Sequence, residues 1–212
     1  MRTGRVARWA SSLVMGGAAT AMAAGCSVGD GSIERGETVD SAHEHLFVDT
    51  SLVWPSATIP VCWEMNPNQQ ERAWVQSAVE QTWEAHSAVD FVGWGLCGAD
   101  AQNGIRIAVD GGTPRSVLGT EAVTVSGPTM WFNFDIANLI PGCAGNEEYC
   151  IRAIAVHEFG HALGFAHEQD RPDTPAWCND QTGSTGDATI GPCDADSVIN
   201  YCNHEWNNGG VL

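Results

Sequence analysis

HEFGHALGFAHEQDR, residues His157 to Arg171, is the stretch from which the rest of this 212-residue chain is read. Three histidines stand at positions i, i+4 and i+10, a glutamate follows the first, and Gly164 precedes the last. On a helix His157 and His161 lie one turn apart on one face, so both imidazoles reach one point in space. Gly164 falls where such a helix must end, because glycine takes the left-handed conformation that turns a chain back. The turn brings His167 round to the same point. Three imidazoles are the donor set of a catalytic zinc ion, which keeps a fourth position for water, whereas structural zinc is closed by four protein ligands. Glu158 can contact that water instead of the ion and is the candidate general base. A lone histidine is ordinarily a satisfied core or surface residue. Five positions fixed together arise by chance in roughly one chain of this composition in ten thousand, or fewer.

These residues resemble the elongated zinc signature of the metzincin metalloproteases. Gly164-Phe165 with Glu168 and Arg171 makes them most similar to the astacin branch. Metzincins carry a tight turn with a methionine under the zinc, followed in astacins two residues later by a tyrosine. Here the segment is Ser197-Val198-Ile199-Asn200-Tyr201, with the tyrosine in place and Ile199 at the methionine position. Isoleucine has a similar volume, and such hydrophobic swaps usually cost little.

The resemblance covers roughly Trp54 to the C-terminus. It implies an α/β (α+β) zincin fold: a small twisted mixed sheet, two long helices, a zinc cleft and a short irregular C-terminal subdomain. It further implies one catalytic Zn2+ held by His157, His161 and His167, with Tyr201 as a fifth ligand or a donor to the transition-state oxyanion. The plainer reading of Tyr201 is an ordinary partly buried tyrosine. Glu168 and Arg171 become structural residues joining the ligand loop to the domain. The implied activity is zinc-dependent endopeptidase action on a peptide or protein substrate. The alternative is a lipid-anchored surface binding protein that keeps the fold with weak or no activity. Ile199 and the short C-terminus favour that alternative, and the intact Glu158 opposes it.

The chain begins as an exported protein does. Arg2, Arg5 and Arg8 form a basic start, an apolar run follows from Trp9 to Ala24, and small residues precede Cys26. Residues 1–25 therefore read as a signal peptide, and Ala23-Ala24-Gly25-Cys26 resembles a lipoprotein box that would lipidate Cys26. Residues 26–51 are polar and acidic and read as a tether or short propeptide. Residues 52–212 are the expected metallopeptidase domain, with a monomer as the expected state. The apolar run is short and rich in Gly and Ala for a membrane span, so a membrane partner enters only through the anchor.

All nine cationic residues are arginine, against 26 acidic ones, and loss of the three leader arginines moves the net charge from −17 to −20. Such a surface repels nucleic acid and anionic lipid and keeps a protein soluble. Seven cysteines beyond Cys26 suggest up to three disulfides with one cysteine over, and proximity suggests Cys143–Cys150 and Cys178–Cys193. Calcium has no support in Asp180, Asp187, Asp194 and Asp196, whose spacing fits no standard loop.

Alternation and breakers predict the elements. Strands are expected at 59–63, where Pro60 argues for an edge or a strand start, at 89–94 and 104–109, and less clearly at 122–125. A helix should follow an Asn66 cap and run to about Ser87, burying Val75, Ala78, Val79 and Trp83. Residues 129–135 alternate and are the candidate for the edge strand that pairs with an extended substrate, as even a choice as an ordinary strand. The active-site helix is expected from about Glu148 to Leu163. His86 and His204 read as surface residues.

Overall fold

The computed structural model describes residues 45–99, 101–178 and 183–203. The leader, Cys26, Asp180, His204 and the eight residues that follow it lie outside them. Five strands form the main sheet: β2 (Thr58–Trp63), β3 (Asp90–Leu96), β4 (Ile105–Val109), β5 (Arg115–Ser116) and β6 (Met130–Phe132). Their spatial order is β3-β2-β4-β6-β5, parallel throughout except for β5. Parallel neighbours need a crossover between them, and helix α1 (Gln69–Val79), extended by a π turn at Glu80–Glu84, supplies the one from β2 to β3. A short helix α2 (Ile136–Leu139) leads into α3 (Glu147–Ala162). One residue in two along each inner strand points to the helices, so Ile59, Val61, Trp63, Ile107 and Phe132 form a core with Val75 and Val79 of α1 and Ile151 and Phe159 of α3. The sheet-and-two-helix architecture is the expected one.

Three expectations about the main sheet need correction. Residues 122–125 are not a strand: Ala122 and Val123 end a 3-10 turn at Gly119–Val123, and Thr124 and Val125 follow it in a turn and a bend. The buried Arg106 of β4 donates to the carbonyls of Ala122 and Val125, so these groups need no ladder partner. Residues 130–132 do form a strand, but β6 is interior; the sheet ends in β3 on one side and, beside β6, in the two-residue β5, too short to show a period. Strand β2 is also interior despite Pro60. Its ladder with β4 starts only at Val61, so on that side no N–H is required of residue 60.

Part of the expected tether is folded. β1 (Leu46–Val48) pairs antiparallel with β7 (Ala188–Ile190), and Phe47 and Val48 are buried. Its partner lies some 140 residues on, which is why a three-residue apolar run gave no local signal. The expected helix start shifts from Asn66 to Asn68, which takes the left-handed conformation at φ 65°. His86 is exposed, as expected, and its ring nitrogen meets the Thr82 carbonyl.

Disulfides join Cys62 to Cys97, Cys143 to Cys150, and Cys178 to Cys202. The pairing of Cys178 with Cys193 is therefore wrong: the chain after Asp194 turns back beneath the ligand loop and delivers Cys202, not its nearer neighbour in sequence. Cys193 is itself disulfide-bonded, and no described cysteine is free.

Candidate metal centre

Helix α3 is buried on nearly all sides from Ile151 onward, which a central helix can be only if its polar residues have partners. His157 and His161 are such residues, 4% and 7% exposed. Gly164 ends the helix at φ +105°, and the chain doubles back so that Ala166 N–H donates to the Phe47 carbonyl of β1. His167 then faces the two helical rings, its centroid 4.4 Å from that of His161 and 5.4 Å from that of His157.

The hydrogen bonds on the far side of two rings fix what the near side offers. His157 Nδ1 donates to the Val198 carbonyl at 2.8 Å, and His161 Nδ1 donates to the Phe165 carbonyl at 2.7 Å. A carbonyl only accepts, so in each neutral ring the proton sits on Nδ1 and Nε2 carries a lone pair. Those two Nε2 atoms lie 3.1 Å apart, and His167 Nε2 lies 3.0 Å from that of His161. Facing lone pairs repel unless a cation lies between them. One tetrahedral zinc bound at about 2.0–2.1 Å sets its ligands about 3.3 Å apart, so the residues present fit the ion. Among the described residues these three histidines are the one group of His, Cys, Asp and Glu so placed. Asp187, Asp194 and Asp196 form no such group, and calcium gains no support.

Burial favours the neutral, ligating form. It lowers the pKa of all three histidines, His157 well below the ordinary value and His167 to about 4, with the neighbouring His161 adding to the fall at both. Glu158 is buried too, and desolvation raises its carboxyl to about 8 while Arg115 of β5 pulls it down. Its Oε2 is buried without a hydrogen-bond partner. This unpartnered carboxyl oxygen belongs to the residue next to His157 and is placed to exchange a proton.

Below the three histidines, Ile199 is 2% exposed and closes on α3 at Gly160, where an added Cβ would collide with its Cδ1. It occupies the space assigned to the methionine. Tyr201, half-exposed, stacks its ring on His157 at 5.4 Å and tilts 4.4 Å from His167.

The model of the astacin peptidase family matches residues 47–182. The chain belongs to the astacin family. It is accordingly a zinc metalloendopeptidase, and the family's cofactor is one catalytic zinc. Among solved structures, that of myroilysin is 22% identical with a TM-score of 0.54, covering 73% of this chain and 82% of that one; the likeness bears on the fold. High choriolytic enzyme 1, a hatching enzyme zinc-protease from the medaka fish Oryzias latipes, is 23% identical with a TM-score of 0.46, covering 72% and 74%. Among curated proteins no sequence matches.

In this astacin-family chain Glu168 and Arg171 have the joining role expected of them. Arg171, 1% exposed, meets Glu168 at 3.2 Å and donates to the carbonyls of Leu46 and Ile190, clamping β1 to β7. Other contributors were not singled out in the sequence. Asp170 accepts from both the backbone and the hydroxyl of Ser184, and Ser184 in turn accepts the His167 N–H. Gln169, fully buried, accepts the Tyr201 N–H. A polar pair inside the zinc signature carries no period by which its partners could be found.

Proposed function

We propose that this chain hydrolyses peptide bonds outside the cytoplasm, with His157, His161 and His167 as zinc ligands, Glu158 as general base and acid, and Tyr201 as oxyanion donor. The observation that supports it most is the convergence of three imidazole Nε2 atoms beside a buried glutamate with an unpaired oxygen. Zinc bound there supplies Lewis acidity, which lowers the pKa of water toward ~7. Glu158 accepts the proton that water loses as its oxygen bonds to the scissile carbonyl carbon. The same carboxyl returns that proton to the amide nitrogen as the C–N bond breaks. A raised carboxyl pKa suits both halves of this exchange, since it takes and gives a proton near neutral pH. The Tyr201 hydroxyl donates to the oxygen on which charge gathers. Substrate lies extended along β5, whose free edge offers main-chain partners independent of sequence.

Export is supported by the leader composition and by disulfides, which persist in oxidising compartments. Lipidation of Cys26 would leave seven cysteines, an odd number, for disulfides. Labelling with a palmitate analogue tests it, and an unlabelled wild-type chain sinks the anchor.

Casein cleavage by the wild type beside Glu158→Ala tests the catalytic reading. Cleavage that disappears in the variant supports it; cleavage that survives removes Glu158 from the mechanism.

A further inference from the structure

We propose that Gln169 is a positioning residue whose side-chain oxygen sets where the Tyr201 ring stands against the metal ligands. The inference rests on the place given to Tyr201 above. Tyr201 belongs to no helix or strand, and a half-exposed ring on an irregular turn has no regular backbone ladder to place it. Two hydrogen bonds supply a substitute. Glu168 N–H donates to the Ile199 carbonyl at 3.0 Å, and Tyr201 N–H donates to Gln169 Oε1 at 3.0 Å. The second rung uses a side chain where a sheet would use a carbonyl. It ties the residue two beyond His167 to the backbone of Tyr201.

The amide is built in at a cost that packing alone does not explain. Gln169 is 0% exposed, and its Nε2 is buried without a hydrogen-bond partner. A buried unpaired donor is unfavourable, so an aliphatic residue of that size would pack better. The oxygen is the part of the group that makes a bond, and the bond goes to Tyr201. Cys202, the next residue, is held by the Cys178 disulfide, so the turn is anchored on one side by sulfur and on the other by this oxygen.

The chain contains two tyrosines, Tyr149 and Tyr201, which makes the position of one ring measurable. Full-length chain labelled with 3-fluorotyrosine and loaded with Co2+ gives two 19F signals. Only the Tyr201 signal, from a ring packed on His157 and His167, carries a large paramagnetic shift. Gln169→Met, which keeps the volume and removes the acceptor, should reduce that shift by half or more, or split it into several positions. Gln169→Glu, which keeps an acceptor oxygen and exchanges the unpaired NH2 for a second oxygen, should restore it. Cobalt stoichiometry should stay at the wild-type value in both. A shift unchanged in Gln169→Met overturns the inference, as does one lost equally in Gln169→Glu.

Activity separates this inference from the role of Tyr201. If Tyr201→Phe lowers kcat by about tenfold or more, Gln169→Met should lower kcat several-fold with KM within about twofold. If Tyr201→Phe leaves kcat unchanged, the oxyanion role fails while the 19F result still decides whether Gln169 places the ring.

Discussion

Two of the three converging histidines sit on α3 and the third on the loop that follows it, and the two halves are held by different physics. On the helix, one turn of backbone sets the distance between His157 and His161, packing on nearly all sides sets the helix, and a carbonyl behind each ring sets the ring. On the loop, an isolated bridge between Phe165 and Val48 and single backbone bonds replace a continuous ladder, and side chains complete the placing: Arg171 with Glu168, Asp170 with Ser184, Gln169 with Tyr201, and the Cys178–Cys202 disulfide. A catalytic site needs both. Regular structure repeats one spacing, but a third ligand and a further donor must come from elsewhere in space.

The comparison breaks most visibly at Arg171. Arg171→Met leaves Glu168 and Asp173 without their cation, which should cost about 3–5 kcal/mol for a buried pair. In a domain of this size that is a fall in Tm of roughly 10 °C, measured by calorimetry. An unchanged Tm would show that the loop is held by something other than its ion pairs.

On the helix side the sensitive point is a contact, not a charge. Gly160→Ala would ordinarily gain helix propensity, yet the new Cβ collides with Ile199, so overpacking should win and destabilise by about 1–3 kcal/mol. Adding Ile199→Val should recover part of the loss. Gly160→Ala as stable as wild type would mean that Ile199 does not press on the ligand-bearing turn. Ile199→Met alone should cost less than about 1.5 kcal/mol and leave zinc content unchanged.

The smallest effect expected is on pH dependence. With His167 lowered to about 4 from an ordinary 6.5, the zinc-free folded chain binds fewer protons than the unfolded one between those values. Its stability should therefore fall as pH drops from about 6.5 toward 4. His167→Gln should remove part of that slope in zinc-free melting curves. Identical slopes would place His167 in solvent.

What could be read from sequence follows the same division. Helix α3 and the placing of its two histidines on one face were legible because 3.6-residue periodicity and a terminal glycine are local signals. The loop was legible only as far as the family signature spelled it. The Cys178–Cys202 bond, the β1–β7 pair and the edge position of β5 depend on partners 24 to about 140 residues away, or on a two-residue strand. Arg106 hid its role because a charged residue in a strand signals solvent, whereas here it replaces a ladder for a whole loop.

The central claim is that helix and loop converge on one zinc ion. X-ray absorption at the zinc edge, with metal content, tests it most directly on wild type and His167→Ala. The account predicts one zinc per wild-type chain with three imidazole nitrogens at about 2.0–2.1 Å, falling to two in the variant with much weakened retention. An ion ligated by sulfur, or a coordination sphere unchanged in His167→Ala, would contradict it.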